Sequence, residues 1–183
     1  MNRQDSIQLF ESIYPGFFEL ANIRELPENC ICDEMILPLE GCMESAYEKE
    51  LDGAISFGYF EGKQEELVAA VEKVDSGWVP YFDGKHRVYC GYLDGKIASF
   101  CLVEDMGMHT VAGRKIKVGG PGCVGTLPEY RNKGIGLTMV KQVTRILQEE
   151  EYDYSYIHYT GVAPWYEKLG YKTVVKWNKN GVL

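Results

Sequence analysis

The chain has 183 residues, 45% of them hydrophobic and 25% charged, which is enough for one globular domain with a full hydrophobic core. Its formal net charge of −8 repels phosphate backbones and argues against general nucleic-acid binding. The amino-terminal residues lack the apolar run of a signal peptide, and no stretch reaches the roughly 18 apolar residues of a membrane span. These properties predict a cytoplasmic protein that has neither nucleic acid nor membrane as a partner.

Residues 1–85 are predicted to be mainly helical. Ile7, Phe10 and Ile13 keep helical spacing until Pro15-Gly16 ends the pattern. Residues 65–74 carry a second amphipathic stripe, which predicts another helix. The segment 35–51 between them is ambiguous, and a helix is favoured after Pro38.

Residues 86–177 are predicted to form a sheet with two helices. The segments 87–93 and 96–103 are rich in β-formers, and Asp94-Gly95 between them is a strong hairpin signal. Further strands are predicted at 115–127, 154–159 and 171–177, with helices at 136–150 and 163–169. Because the breaks are too short to mark a second domain, residues 1–183 are predicted to form a single α+β domain with a mixed, mostly antiparallel twisted sheet flanked by helices.

The turn between the strand 115–127 and the long helix predicts a phosphate site. Amides at a helix start have no intrahelical partner, and the helix dipole there favours negative charge. Gly134 and Gly136 allow a phosphate group to approach the backbone, and Arg131 and Lys133 supply local positive charge. A plain glycine-bearing turn that only starts a helix is the alternative explanation. No P-loop motif occurs, and the Gly-x-Gly-x-x-Gly of residues 120–125 does not lead into a helix, so it is not interpreted as a dinucleotide fingerprint.

The run Arg131-Asn132-Lys133-Gly134-Ile135-Gly136 matches the [Q/R]-x-x-G-x-[G/A] signature of the GNAT superfamily of N-acetyltransferases. Residues 165–171 resemble the second landmark of that family, an aromatic-Tyr-x-x-x-Gly-[Phe/Tyr] after the next strand. The resemblance covers about residues 87–177. It implies a GNAT-like acyl-CoA N-acyltransferase fold, acetyl-CoA as the acyl donor without a metal, and a small-molecule or peptide amine as the acceptor.

The resemblance also implies roles for individual residues. The strand before the signature pairs with the pantetheine arm, which corresponds here to Val124, Gly125 and Thr126. The signature itself would hold the diphosphate, and its residues are Arg131, Asn132, Lys133, Gly134, Ile135 and Gly136. Tyr166 would face the cofactor sulfur and protonate the departing thiolate, although packing within its helix is an alternative role.

Three departures from the family pattern keep alternatives open. The strand 115–123 lacks the carboxylate that many members use as general base, Tyr159 to Val162 replaces a usual asparagine position, and little chain is left for a closing hairpin. The candidates for the base are left unassigned among Glu104, Asp105, His109 and His158. A non-catalytic CoA-binding or regulatory module on the same fold is the alternative function, and a homodimer is possible.

The cysteines are interpreted as structural. Cys30, Cys32 and Cys42 do not complete a zinc motif, so reduced thiols are favoured. Cys123 has no histidine beside it in the sequence to activate it, and a small core-facing role is favoured over an acyl-accepting one. The glycines and Pro121 of the segment 119–122 predict a β-bulge.

Overall fold

The computed structural model describes residues 1–41, 47–51 and 53–183. The helices are Arg3–Ile13 (α1), Ala21–Arg24 (α2), Gln64–Glu72 (α3), Ile135–Glu149 (α4) and Ala163–Glu167 (α5), with short 3-10 helices at Phe17–Glu19, Ser76–Tyr81 and Pro128–Tyr130. The strands are Cys32–Pro38 (β1), Ile55–Tyr59 (β2), Arg87–Leu93 (β3), Lys96–Val111 (β4), Arg114–Thr126 (β5), Tyr154–Thr160 (β6), Lys172–Asn178 (β7) and Gly181–Val182 (β8). Within these described ranges, no helix combines the length and apolar character needed to cross a bilayer.

The eight strands form one mixed sheet in the order β2-β3-β4-β5-β6-β1-β7-β8. Among the described strands, β5 and β6 are the one parallel pair and all other neighbours run antiparallel. Helices α4 and α5 cover one face, while α1 and α3 cover the other. The fold class predicted from the sequence is therefore confirmed.

Strand β1 corrects the description of residues 1–85 as mainly helical. It lies between β6 and β7 inside the sheet and is buried on both faces, with Met35 and Leu37 in the cluster beneath α4 and Ile36 in the cluster beneath α1. A strand covered on both faces shows no polar alternation, so its sequence cannot be told from a buried helix. Strand β2 was missed as well. The helix favoured after Pro38 is absent from residues 39–41 and 47–51, and residues 42–46, including Cys42, lie outside the described residues.

The carboxyl-terminal end forms a closing hairpin, which the sequence left open. Strand β7 pairs with β8 through Trp177↔Val182 and Asn178↔Gly181, so the hairpin is present but has only a two-residue second strand. Strand β7 pairs on its other edge with β1 and not with β6. The amino-terminal strand therefore fills the middle of this half of the sheet.

Candidate active site

The parallel strands β5 and β6 separate soon after they begin. Their ladder consists of Val118↔Tyr154 and Gly119↔Ser155, and no described strand pairs with β5 on that edge beyond Gly119. At the point of separation, a Cβ atom on Gly120 would collide with the backbone carbonyl of Tyr156, so only glycine fits there. The separation leaves backbone N–H and C=O groups of β5 able to pair with an extended ligand that carries amides.

A β-bulge lies in β5 just before the predicted phosphate turn. Phe100 pairs with Gly125 and Leu102 with Gly122, so Cys123 and Val124 together face Cys101. Cys123 adopts a left-handed φ of +46°, as expected at a bulge. The sequence predicted this bulge at 119–122, whereas in the structure it lies at the next two residues, 123 and 124. The bulge changes the direction of the backbone at Val124, the first of the three residues assigned to the pantetheine arm.

The predicted phosphate turn leads directly into helix α4. Gly134 precedes the helix with φ +86°, and no side chain caps the helix start. The first intrahelical bond runs from the Thr138 N–H to the Gly134 carbonyl, so the amides of residues 135–137 have no intrahelical acceptor. A Cβ atom on Gly136 would collide with the Thr126 side chain, so glycine allows the helix start to lie against the end of β5. The turn thus presents uncapped amides, as anion binding requires.

Three cationic side chains meet at this turn. The Arg131 Nε donates to the Thr126 carbonyl at 3.1 Å, and the Lys133 Nζ lies 6.0 Å from the centre of the Tyr130 ring. Lys49, from the segment between β1 and β2, donates its Nζ to the Asn132 carbonyl at 3.0 Å. Sequence reasoning missed Lys49 because it lies more than 80 residues before the turn and matches no motif.

Tyr166 lies in the core beneath α4 and α5. Its side chain is 6% exposed and belongs to the same cluster as Val124, next to the bulge. Burial is the main cause that raises the pKa of the Tyr166 phenol above its usual range, and Tyr171, Cys101 and Cys123 add to this effect. The phenol is therefore protonated at neutral pH.

Glu104 supplies a carboxylate beside β5 although β5 has none in this region. It lies on β4, and a Cβ atom on Gly122 would be 2.6 Å from its carboxyl carbon. The carboxylate thus occupies the place of the side chain that Gly122 lacks, two residues before Val124. Burial raises the pKa of Glu104 above its usual value, although the nearby His158 and His86 oppose that rise.

His158 lies on β6, across the separation from Gly122. The register of Gly119↔Ser155, extended along the parallel strands, places these two residues at the same level. The His158 Nδ1 lies 2.9 Å from a carboxylate oxygen of Glu34, which is 0% exposed on β1. The ring of Tyr14, on the other side, stacks on the imidazole with 3.8 Å between centroids.

Glu34 organises this half of the site. Its carboxylate also accepts hydrogen bonds from the Trp177 Nε1 at 2.6 Å and the Tyr159 N–H at 3.1 Å. A buried polar side chain is costly unless its hydrogen bonds are made, so these donors tie Glu34 to its three partners. The sequence did not indicate Glu34, because β1 was not identified as a strand of the sheet.

Two of the candidate bases have structural roles. Asp105 is exposed and accepts from the Gly107 N–H at 2.9 Å, which closes a second bulge. Both ring nitrogens of His109 are engaged, at 2.7 Å from the Ser12 Oγ and 2.8 Å from the Met106 carbonyl. Glu104 and His158 are the candidates that the fold brings to the separation of β5 and β6.

The described cysteines are free thiols. Burial raises the pKa of Cys123 to about 12, so this side chain is a thiol and not a thiolate at neutral pH. The Sγ atoms of Cys30 and Cys32 are 3.7 Å apart and unbonded. Within the described ranges, no three His, Cys, Asp or Glu side chains come together as a metal site.

Comparison with known protein families assigns the chain to one of them. The family model for the acetyltransferase (GNAT) domain matches residues 44–174, most of the chain. The chain belongs to this family of acetyltransferases. The matched range includes the predicted phosphate turn, the bulged strand β5 and Tyr166. A sequence comparison with curated proteins found no match.

Solved structures share the fold at low sequence identity. The glucosamine N-acetyltransferase region of a fungal multi-domain β-N-acetylglucosaminidase aligns with a TM-score of 0.63 and 18% identity, over 82% of this chain and 20% of that one. A GCN5-related N-acetyltransferase from Kribbella flavida aligns with a TM-score of 0.56 and 15% identity, over 88% of this chain and 62% of that one. A ribosomal-protein-alanine N-acetyltransferase from Brucella melitensis aligns with a TM-score of 0.50 and 13% identity, over 63% of this chain and 90% of that one. The chain spans one fifth of the fungal protein and under two thirds of the Kribbella protein.

Proposed function

We propose that the protein transfers an acetyl group from acetyl-CoA to a primary amine by direct attack in a ternary complex. The observation that carries this proposal is the uncapped start of α4, with its cluster of cations, at the end of the open edge of β5. An anionic group at the helix start and an amide-bearing arm along the strand edge are two parts of coenzyme A, and the site offers a partner for each.

Cofactor binding divides between the turn and the strand. The amides of Arg131 to Gly136 would hold the diphosphate, and the Arg131 and Lys133 side chains would neutralise its charge. The backbone of Val124, Gly125 and Thr126 would pair with the pantetheine arm. The thioester would then lie near the bulge at Cys123 and Val124 and near Tyr166, which belongs to the cluster against which Val124 packs.

The residues around the bulge would perform the chemistry. Acetyl-CoA supplies an acetyl thioester, whose carbonyl carbon the amine attacks as the C–S bond breaks. The Val124 N–H would donate to the carbonyl oxygen as negative charge develops there. Glu104 would accept the proton that the amine loses, and Tyr166 would give a proton to the departing sulfur. Because a desolvated thiolate also has a raised pKa, the raised pKa of Tyr166 is compatible with this transfer.

The acceptor side is acidic and aromatic. Glu104 and the net charge of −8 attract a cationic amine, while Tyr14 and His158 form an aromatic wall beside it. One structural neighbour is named for a sugar amine and another for a protein alanine. The acceptor of this chain is accordingly proposed as a primary amine, either small or peptidic. The cytoplasmic location and the possible homodimer stay predictions.

Turnover separates this function from a non-catalytic CoA-binding module. We expect the purified protein to release free thiol from acetyl-CoA steadily when amines are supplied, beginning with glucosamine and peptides that have free amino-terminal residues. A thermal-shift screen with acetyl-CoA present would select the amines to test. Saturable binding of acetyl-CoA without thiol release above the amine-free rate, for every amine that stabilises the complex, would favour the binding module.

A further inference from the structure

The segment 47–51 lies across the cofactor turn. The Lys49 Nζ bonds to the Asn132 carbonyl, and its side chain runs over Gly134, where an added Cβ atom would lie 2.5 Å from the Lys49 Cδ. The Leu51 Cδ2 would be 3.3 Å from the same position. The left-handed residue that starts α4 is thus covered by a lysine stem and a leucine.

The same segment is attached to α4 itself. The Lys141 Nζ, in the second turn of the helix, donates to the Tyr47 carbonyl at 2.9 Å. The Tyr47 ring packs against the cluster beneath α4. Because these contacts fix Tyr47 to the helix, the Lys49 side chain two residues later remains close to the helix start.

The charges at the turn have no carboxylate partner among the described residues. None of Lys49, Arg131 and Lys133 forms an ion pair with a carboxylate in the part of the chain that the structure describes. The chain nevertheless has 27 acidic residues against 19 basic ones. Like charges brought together repel unless an anion offsets them. Three cations around uncapped amides therefore point to an anionic ligand, and Lys49 belongs to that set.

We infer that Lys49 is a third cationic ligand for the diphosphate, supplied from outside the signature motif. The inference rests on the proposed function, since it names a further residue of the same cofactor site. The Lys49 Nζ exchanges the Asn132 carbonyl for a diphosphate oxygen, and its stem stays over Gly134 and shields the diphosphate from water. The ligand class is a diphosphate-bearing acyl thioester.

The substitution Lys49→Met tests this role because methionine keeps an unbranched stem and removes the charge. Loss of one charge-assisted hydrogen bond is expected to weaken acetyl-CoA binding about tenfold, measured by calorimetry. Binding of S-acetylpantetheine, which lacks the diphosphate, should stay unchanged. Lys49→Arg should retain most of the affinity, and Lys172→Ala, an exposed lysine of β7, should bind as the unmodified protein does.

Dephospho-acetyl-CoA, which keeps the diphosphate but lacks the 3′-phosphate, locates the contact. If Lys49 binds the diphosphate, Lys49→Met weakens this ligand by the same factor. If Lys49→Met weakens binding of acetyl-CoA but not of dephospho-acetyl-CoA, Lys49 contacts the 3′-phosphate and the inference is overturned. Unchanged or tighter binding of acetyl-CoA by Lys49→Met would also overturn it, because Lys49 would then either not contact the ligand or obstruct its site. If the unmodified protein does not bind acetyl-CoA at all, the proposed function itself fails, which is a different result.

Discussion

Replacing Glu104 with glutamine should lower activity and raise stability together. The substitution keeps the shape of the side chain beside Gly122 but removes its ability to accept a proton. Loss of a general base typically costs 10²- to 10⁴-fold in rate, which corresponds to about 3–5 kcal/mol in the activation barrier. We therefore expect kcat/KM of Glu104→Gln to fall by at least about 10²-fold at neutral pH.

The pKa of Glu104 fixes the sign of the stability change. Burial raises this pKa in the folded protein, so the folded state binds more protons than the unfolded state between the two pKa values. The free energy of unfolding therefore decreases as pH rises from the pKa of Glu104 in the unfolded chain to its higher pKa in the folded protein. Above both pKa values, Glu104 is charged in both states and the full cost of burying the charge is present. Glutamine carries no such charge, so Glu104→Gln should be more stable at pH 7 and gain little at pH 4. A gain of about 1 kcal/mol raises Tm by roughly 2–4 °C in a domain of this size.

Thiol release and thermal unfolding, each measured from pH 4 to 9, test both expectations. The acid limb of kcat/KM should lie above the ordinary pKa of a glutamate, because the base must be deprotonated, and this limb should vanish in Glu104→Gln. Asp105→Asn is the matched control, since it changes the neighbouring carboxylate on an exposed strand position while keeping the oxygen that accepts from Gly107. A variant Glu104→Gln with the original rate and pH profile would refute the assignment of the base.

Three further substitutions test other parts of the site. Tyr166→Phe should lower kcat by about 10²-fold while the Kd for acetyl-CoA changes less than about twofold; an unchanged rate across pH would show that the phenol only packs. Gly134→Asp places a side chain at φ +86° and a negative charge among three cations. Calorimetry should therefore show acetyl-CoA binding weakened by at least about 10²-fold. Unaltered affinity would contradict the proposed location of the diphosphate. Glu34→Ala leaves three donors without their acceptor, the buried Trp177 Nε1 among them, and should cost about 3–5 kcal/mol. Tm should fall by roughly 10 °C in a melting experiment, whereas a Tm within about 2 °C would exclude a central role for this carboxylate.

The sequence was most informative where a site is built from contiguous residues. The predicted phosphate turn lies within six residues, and the requirement for glycine at Gly134 and for a helix directly after it is local. Propensity and spacing therefore predicted both the turn and the element that follows. The long hairpin of β3 and β4 was predicted for the same reason, because Asp94-Gly95 carries its turn.

The acceptor side could not be predicted, because distant segments build it. Glu34 and Glu104 are 70 positions apart in the sequence. No local sequence pattern shows that Glu34 bonds to His158 on β6 or that Glu104 fills the space beside Gly122. Strand β5 has no carboxylate of its own, and the one beside Gly122 comes from the neighbouring strand. Register decides such contacts, and register depends on the bulge at Cys123 and Val124, which the sequence located a few residues too early.

The position of β1 was hidden for a related reason. Strand β6 pairs with β5 on one edge, and the amino-terminal strand β1 covers its other edge. The pairing of residues 32–38 with residues more than 110 positions away depends on long-range contacts alone. Its buried, unalternating sequence fits a helix or a strand equally well.

Parallel calorimetric titrations with acetyl-CoA and S-acetylpantetheine test the central claim most directly, namely that the turn from Arg131 to Gly136 holds a diphosphate. The two ligands share the thioester and the pantetheine arm, and only acetyl-CoA carries the diphosphate. The account predicts that acetyl-CoA binds at least about tenfold more tightly, and that this advantage shrinks as salt is raised from about 0.05 to 0.5 M. Equal affinities for the two ligands at low salt, or no binding of acetyl-CoA, would contradict it.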